Sequence, residues 1–261
     1  MILRSCLARA STTGDCEHVA LLICAATGQE LAALAPDILP RPELLEEMRL
    51  WAQPLKGKEI LFCVTGVGPV NAALALGFCF GQTARNIQEG PRIEAVLNVG
   101  LAGSFNLETL PLRTICRISE EIWPEYGLND GQSVTARAFS FPLWRRLEPQ
   151  EDLYDRLPLN GLEELSHSVT AEVKQWPVCR SLTVAGVSAS FSRAHDLWDR
   201  YHAELENMEG FAVAYACARA QIPCIGIRSV SNKVGPRQKN EKDFSGALEA
   251  LAKVLPSLNI L

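Results

Sequence analysis

Two short stretches of this chain carry side chains suited to a polar, hydroxylated ligand. Glu206-Asn207-Met208-Glu209-Gly210 runs into an Ala-rich stretch, and Arg228-Ser229-Val230-Ser231-Asn232 ends an apolar run. A carboxylate accepts from sugar hydroxyls, and a carboxamide both donates to and accepts from a purine edge. Together they have the chemistry of a nucleoside site.

Other groups bear on the same chemistry, each with a plainer reading beside it. Glu30, in Ala26-Thr27-Gly28-Gln29-Glu30, complements the dipole of a helix start; it also has the reach to share a crevice with Glu209 and Asn232. Arg228 interrupts an apolar strand and needs partners if buried: a structural ion pair, or a carboxylate or water it positions. Phe191 is either a core aromatic or a platform for a base. Gly66-Val67-Gly68-Pro69 and Gly100-Leu101-Ala102-Gly103 read equally as tight turns or as places where backbone N–H groups approach a ligand. The first lacks both the six-residue dinucleotide fingerprint and the Lys-Ser/Thr ending of a phosphate loop. His195 and His202 lack companions for a metal site, and no nucleophile elbow supports a Ser/His/Asp triad.

The elements that must position these residues alternate. Strands are expected over His18–Ala26, Ile60–Thr65 and Ala95–Val99, each leaving through a glycine turn into a helix. That pattern predicts a single-domain, three-layer α/β/α fold around a mixed, mostly parallel, twisted sheet. Further strands are expected over Arg113–Ser119, Ser181–Ser188, Ala203–Met208 and Ile222–Val230, with a possible one over Gln132–Ala138. Helices are expected over Val70–Phe80, Asp196–His202, Glu209–Ala220 and Phe244–Leu255. Residues 1–17 read as a flexible extension, 18–261 as one catalytic domain, and 141–177 as an insertion in it. In open α/β sheets, ligands sit at the carboxyl ends of the strands.

Composition narrows the class. At 261 residues and 48% hydrophobic, the chain is long enough for one large domain. A net charge of −5, with no Lys/Arg cluster, gives nucleic acid or an anionic membrane nothing to bind. The nine cysteines include no Cys-x-x-Cys pair and mostly lie in apolar stretches, as in a reduced, cytoplasmic protein without structural zinc. Met1–Ala10 is too short and interrupted for a signal segment.

From about His18 onward the chain resembles the nucleoside phosphorylase/nucleosidase superfamily, which includes methylthioadenosine/S-adenosylhomocysteine nucleosidases and futalosine hydrolases. The resemblance rests on Ala26–Glu30, Thr65–Ala73, Asn98–Gly103, and Met208-Glu209-Gly210 with Arg228–Asn232. It is weakest over Phe141–Pro177. By that resemblance Glu30 activates the hydrolytic water, with Arg228 beside it. Phe191 stacks on the purine and the Ser192 backbone reads the base edge. Met208 packs near the sugar and Glu209 binds the ribose hydroxyls. Gly66, Gly68, Gly100, Leu101, Ala102 and Gly103 line the substrate site.

Two positions depart from the adenine-specific pattern. Asn232 stands where those enzymes have an aspartate. An amide donates to the carbonyl of a 6-oxopurine and would leave a buried group unpaired against adenine. Leu101 replaces a serine, which, with no Arg close after Gly28, favours water over phosphate as nucleophile. Ser231–Arg237 and Glu121–Gly127 resemble the futalosine hydrolase branch. The resemblance therefore implies hydrolysis of futalosine to hypoxanthine and dehypoxanthine futalosine in menaquinone biosynthesis, with no metal or organic cofactor, by a homodimer or higher homo-oligomer. Alternatives are an adenine-releasing nucleosidase, a 6-oxopurine nucleoside phosphorylase and a non-catalytic nucleoside-binding protein. Trp123, Tyr126, Arg193, Lys233 and Arg237 are candidates for holding the carboxylated aromatic end of the substrate.

Overall fold

The structure, a computed structural model, describes residues 19–85, 91–138, 140–145, 151–165, 169–236 and 238–261. The expected extension over 1–17 and Arg237 lie outside these residues, as do parts of the 141–177 segment. In chain order the strands and α-helices are β1 (Val19–Ala25), α1 (Gly28–Leu34), β2 (Leu50–Leu55), β3 (Lys58–Val64), α2 (Pro69–Arg85), β4 (Arg92–Ser104), β5 (Ile115–Ile122), β6 (Leu128–Asn129), β7 (Val134–Thr135), β8 (Trp144–Arg145), β9 (Asp152–Leu153), β10 (Arg156–Pro158), α3 (Ala171–Gln175), β11 (Val178–Thr183), α4 (Phe191–Tyr201), β12 (Leu205–Asn207), α5 (Gly210–Ala220), β13 (Cys224–Lys233), α6 (Phe244–Leu251) and α7 (Val254–Ser257).

Strand β1 shows why the sheet is covered on both faces. Leu21, Ile23 and Ala25 pack in one buried cluster with Leu31 and Leu34 of α1 and Leu251 of α6. Ala20, Leu22 and Cys24 point the other way, into a second cluster with Leu76 of α2 and Val213 of α5. The two-residue side-chain period turns one apolar run into the middle layer of three.

The nine-stranded sheet is mixed: five pairings are parallel and four antiparallel. Half of it closes. β4 pairs with β13, β13 with β5, β5 with β11, β11 with β12, and β12 returns to β4. Ala102, Cys116, Ile118, Cys179, Leu205 and Val230 fill this ring, with every strand contributing. The segment after Phe141 joins the main sheet through β10, which pairs with β5.

Several expected elements are redrawn. Gly100-Leu101-Ala102-Gly103 is no turn: β4 runs through it because β13 and β12 pair with those residues. β11 stops at Thr183 rather than Ser188: Val184 N–H still bonds the Asn207 carbonyl of β12, but beyond it Ala185 N–H bonds Glu125 and Ser188 N–H bonds Glu206. The helix expected over Phe244–Leu255 breaks after Leu251, close to Pro256, which has no N–H to donate. β2 was not foreseen; it pairs antiparallel with β3 at the edge of the sheet. Among the described residues no helix is long and apolar enough to cross a membrane.

Candidate active site

A cleft of about 340 Å³ opens where β1, β4, β12 and β13 end, and Glu30, Glu209 and Asn232 all line it. Met208, Leu101, Ala102 and Gly103 belong to its walls.

Glu30 is held from two sides. Thr27 caps α1 by accepting the Glu30 N–H, and Glu30 Oε2 in return accepts from Thr27 N (2.9 Å) and Thr27 Oγ1 (2.8 Å), a capping box. Glu30 Oε1 accepts the Leu101 N–H at 2.9 Å. A carboxylate offers about four lone-pair sites; these bonds use three and leave one on Oε1. Gly100 makes the approach possible, because a Cβ there would sit 2.9 Å from Glu30 Oε1.

Glu209 precedes α5. Its Oε1 accepts the Gly68 N–H at 2.8 Å. The turn Gly66-Val67-Gly68 needs glycine for its backbone, with φ +83° and +94° at the two glycines, and its last amide is directed at a side-chain carboxylate. Burial raises the Glu209 carboxyl, and the Glu30 charge adds to this; the Gly68 N–H and Arg228 pull it down. The backbone at Glu209 is fixed by Asn207, whose Oδ1 accepts the N–H groups of Glu209 (2.9 Å) and Gly210 (2.7 Å).

Arg228 lies beneath the cleft, 2% exposed. Its Nη1 donates to the carbonyls of Asn98 and Ile227, and its Nη2 stands 4.0 Å from Glu121 Oε1. Glu121 is fully buried and accepts from Asn207 Nδ2 and Thr183 Oγ1. Burial pushes the Glu121 carboxyl up to about 7, against the pull of Arg228, Asn207 and Thr183. A Cβ on Gly210 would fall 1.9 Å from Glu121 Oε1, so glycine makes room for this carboxylate. Arg228 is thus placed as the partner of a buried acid under the cleft.

Asn232 reaches the cleft through a β-bulge. The register of β13 on β4 shifts between Val230 and Asn232, so Val230 pairs with Ala102 and Asn232 with Gly103. Val230 points into the closed ring. The extra residue, Ser231, turns Asn232 to the opposite face. There Asn232 Nδ2 donates to the Lys233 carbonyl (2.8 Å) and Oδ1 accepts from Ser231 Oγ (3.0 Å). One amide N–H and one lone pair remain.

Phe191 and Ser192 are not brought to this lining. Phe191 starts α4, 59% exposed, in a neighbouring cavity with Trp198 and Lys233; Ser192 lines another. Of the residues considered for the carboxylated end, none of the described ones lines the cleft. Arg193 donates to Glu125, Lys233 to Glu241, and Trp123 stacks on Tyr126. Among the described residues no group of three or more His, Cys, Asp or Glu is placed to hold a metal ion.

The site also contains residues to which the sequence assigned no role of their own. Thr27 and Asn207 line it as positioning groups, and Glu206 lines it as a third carboxylate. Glu206 and Asn207 stood next to the Met-Glu-Gly signal, but only tertiary contacts give them roles. Glu121 opens the Glu121–Gly127 stretch, but as one of two adjacent acids in a strand it carried no signal of a role of its own.

A closed five-strand ring joined to a covered mixed sheet, with acidic groups around a cleft at the strand ends, defines an α/β class of protein with a polar ligand cleft. The model of the phosphorylase superfamily matches residues 20–259, and the chain belongs to that superfamily. Within it, the chain is 33% identical over 206 residues to the futalosine hydrolase of Thermus thermophilus, covering 78% of this chain and 83% of that one. It is 29% identical to the futalosine hydrolase of Streptomyces coelicolor, covering 74% and 75%. Among solved structures, a futalosine hydrolase mutant of Helicobacter pylori superposes with a TM-score of 0.65 at 20% identity, covering 92% and 98%. The methylthioadenosine/S-adenosylhomocysteine nucleosidase of Campylobacter jejuni does so with 0.68 at 19%, covering 93% and 97%. At such identities these two likenesses concern the fold.

Proposed function

We propose that the protein hydrolyses the N-glycosidic bond of futalosine, releasing hypoxanthine and dehypoxanthine futalosine for menaquinone biosynthesis. One observation carries the reading: Glu30, Glu209 and Asn232 meet in a single cleft, on a chain 33% identical to a futalosine hydrolase.

The chemistry follows from the placement. Glu209 accepts from the ribose hydroxyls. The remaining lone pair of Glu30 Oε1 accepts from a water, whose oxygen bonds the anomeric carbon while its proton passes to Glu30. The bond from that carbon to the base nitrogen breaks, its electron pair leaves with the base, and the Asn232 N–H steadies the carbonyl oxygen on which charge gathers. The transition state is an oxocarbenium-like ribose, which the nearby carboxylates stabilise. Water suits the site better than phosphate, because the Gly68 amide already serves a carboxylate and Glu30 and Glu209 oppose a second anion.

The reading includes a homodimer or higher homo-oligomer. Val70, Leu74 and Phe78 form an exposed apolar stripe along α2, beginning beside Val67 at the cleft rim. It also includes the cytoplasm: the seven described cysteines are free and buried.

The test is free-base release from futalosine, methylthioadenosine and inosine, each with and without phosphate. Hypoxanthine from futalosine without phosphate is expected; inosine cleavage only with phosphate would overturn the hydrolase assignment.

A further inference from the structure

We infer that Glu121 is a positioning residue for Glu209: acting through Asn207 and Thr183, it holds the first turn of α5 and so sets the Glu209 carboxylate at the sugar. The inference assigns a role to a residue outside the cleft, and it rests on the reading above for the sugar.

The observation is how α5 begins. The first four N–H groups of a helix find no carbonyl within it, and the residue at the start often serves them with its own side chain. Glu209 stands at that position but makes no side-chain capping bond. Its carboxylate is turned to the Gly68 amide at the cleft instead. Other strands serve the amides. Asn207 Oδ1 accepts the N–H groups of Glu209 and Gly210, and Thr183 Oγ1 accepts that of Phe211 at 2.7 Å. Two side chains from β11 and β12 thus take over the capping and leave the Glu209 carboxylate to the cleft.

Glu121 of β5 fixes both of those side chains. Its Oε2 accepts from Thr183 Oγ1 at 2.9 Å and from Asn207 Nδ2 at 3.0 Å, and its Oε1 accepts from the same Nδ2 at 3.1 Å. A hydroxyl has one hydrogen; given to Glu121, it leaves the Thr183 oxygen as the acceptor for Phe211. The Asn207 amide, aimed nitrogen-first at Glu121, presents its oxygen to α5. Its other N–H goes to Ser181 Oγ at 2.6 Å. Turning the amide over would set its oxygen against Glu121 and its N–H groups against those of α5. Because Oε2 alone accepts from both partners, the arrangement holds with or without a proton on Oε1. Gly210 admits the carboxylate, since a Cβ there would overlap it.

The test compares Glu121→Met, which removes both acceptor oxygens, with Glu121→Gln, which keeps one. The readouts are KM for futalosine and the inhibition constant of free hypoxanthine, which has no sugar. Glu121→Met should raise KM about 10-fold, the scale of one hydrogen bond to a charged group, and leave hypoxanthine inhibition as it was. Glu121→Gln should recover most of that loss. In a Glu209→Ala background, Glu121→Met should raise KM no further, because the two residues act as one unit. Thr183→Val should raise KM in the same way and Thr183→Ser should recover it, a pair that decides the matter if Glu121→Met does not fold. A merely structural role would lower the active fraction and leave KM alone. Unchanged KM, an equal shift in KM and in hypoxanthine inhibition, or additive losses with Glu209→Ala overturn the role of Glu121. If the wild-type protein releases no hypoxanthine from futalosine, the reaction assignment falls instead. Hydrogen exchange at the Glu209 and Gly210 amides then decides Glu121: faster exchange in Glu121→Met than in Glu121→Gln upholds it, and equal rates overturn it.

Discussion

The Glu209 carboxylate accepts the Gly68 amide across 141 positions of sequence, tying the turn after β3 to the start of α5 at 2.8 Å. The turn therefore acts as a support for the carboxylate proposed to bind the sugar. Gly68→Ala tests this: φ at Gly68 is +94°, yet nothing lies within 4 Å of the added methyl. The cost is backbone strain alone, about 1–2 kcal/mol, seen as a lower denaturation midpoint. The Michaelis constant for the nucleoside should rise with it, because relief of that strain shifts the residue-68 N–H away from Glu209. Unchanged affinity would show that Glu209 keeps its place without Gly68.

Glu30→Gln should lower turnover about 100-fold or more, the usual scale for a general base, with little change in substrate affinity. It should also cost about 1 kcal/mol of stability, since an amide N–H would oppose either Thr27 or Leu101 in the capping arrangement. Single-turnover kinetics and a denaturant titration separate the two effects. Full turnover would remove Glu30 from the chemistry.

Asn232→Asp should shift preference from futalosine toward methylthioadenosine. The amide donates to the Lys233 carbonyl at 2.8 Å; a carboxylate there would face that carbonyl and hold a proton. Its single O–H, turned to the base, donates to a ring nitrogen of adenine, whereas the amide has two N–H groups and serves both the Lys233 carbonyl and a 6-oxopurine oxygen. The ratio of kcat/KM values for the two substrates checks it, with an unchanged ratio counting against the assignment.

Glu121 should make stability depend on pH. Its carboxyl is raised from 4.5 to about 7 by burial, so the folded state favours the protonated form. Stability is then greatest below about pH 4.5 as far as this group is concerned, and falls as pH rises toward 7 and above. The full loss is about 3 kcal/mol. Burial raises Glu209 too, which acts in the same direction. Unfolding free energies at pH 5 and pH 8 should differ less in Glu121→Gln than in the wild-type protein. The same slope in both would clear Glu121.

Leu74→Glu places a charge in the middle of the exposed α2 stripe. Sedimentation should show weaker self-association, while the melting temperature of the separated chains changes little. Wild-type protein that sediments as a monomer would set the stripe aside as an interface.

The alternation of apolar strands and helices was legible because each β1 residue must face one of two helical layers. Glu30, Glu209 and Asn232 stood out as polar groups placed where strands end or helices begin, and the cleft gathers all three. Neither the turn nor the ligand-loop reading of Gly100–Gly103 anticipates that β4 runs through it, because local glycine content cannot tell a turn from a strand with a carboxylate pressed against it. Pairing partners far along the chain decide that.

What the sequence determined by itself was the run of covered strands and the types of polar side chain at their ends, both local properties of residue size, charge and period. Only the tertiary structure decided that Arg228 pairs with buried Glu121, that the bulge at Ser231 turns Asn232 out of the closed ring, and that Glu206 stands opposite it across Gly103. Each of these depends on register between distant strands, where a shift of one residue moves a side chain to the other face.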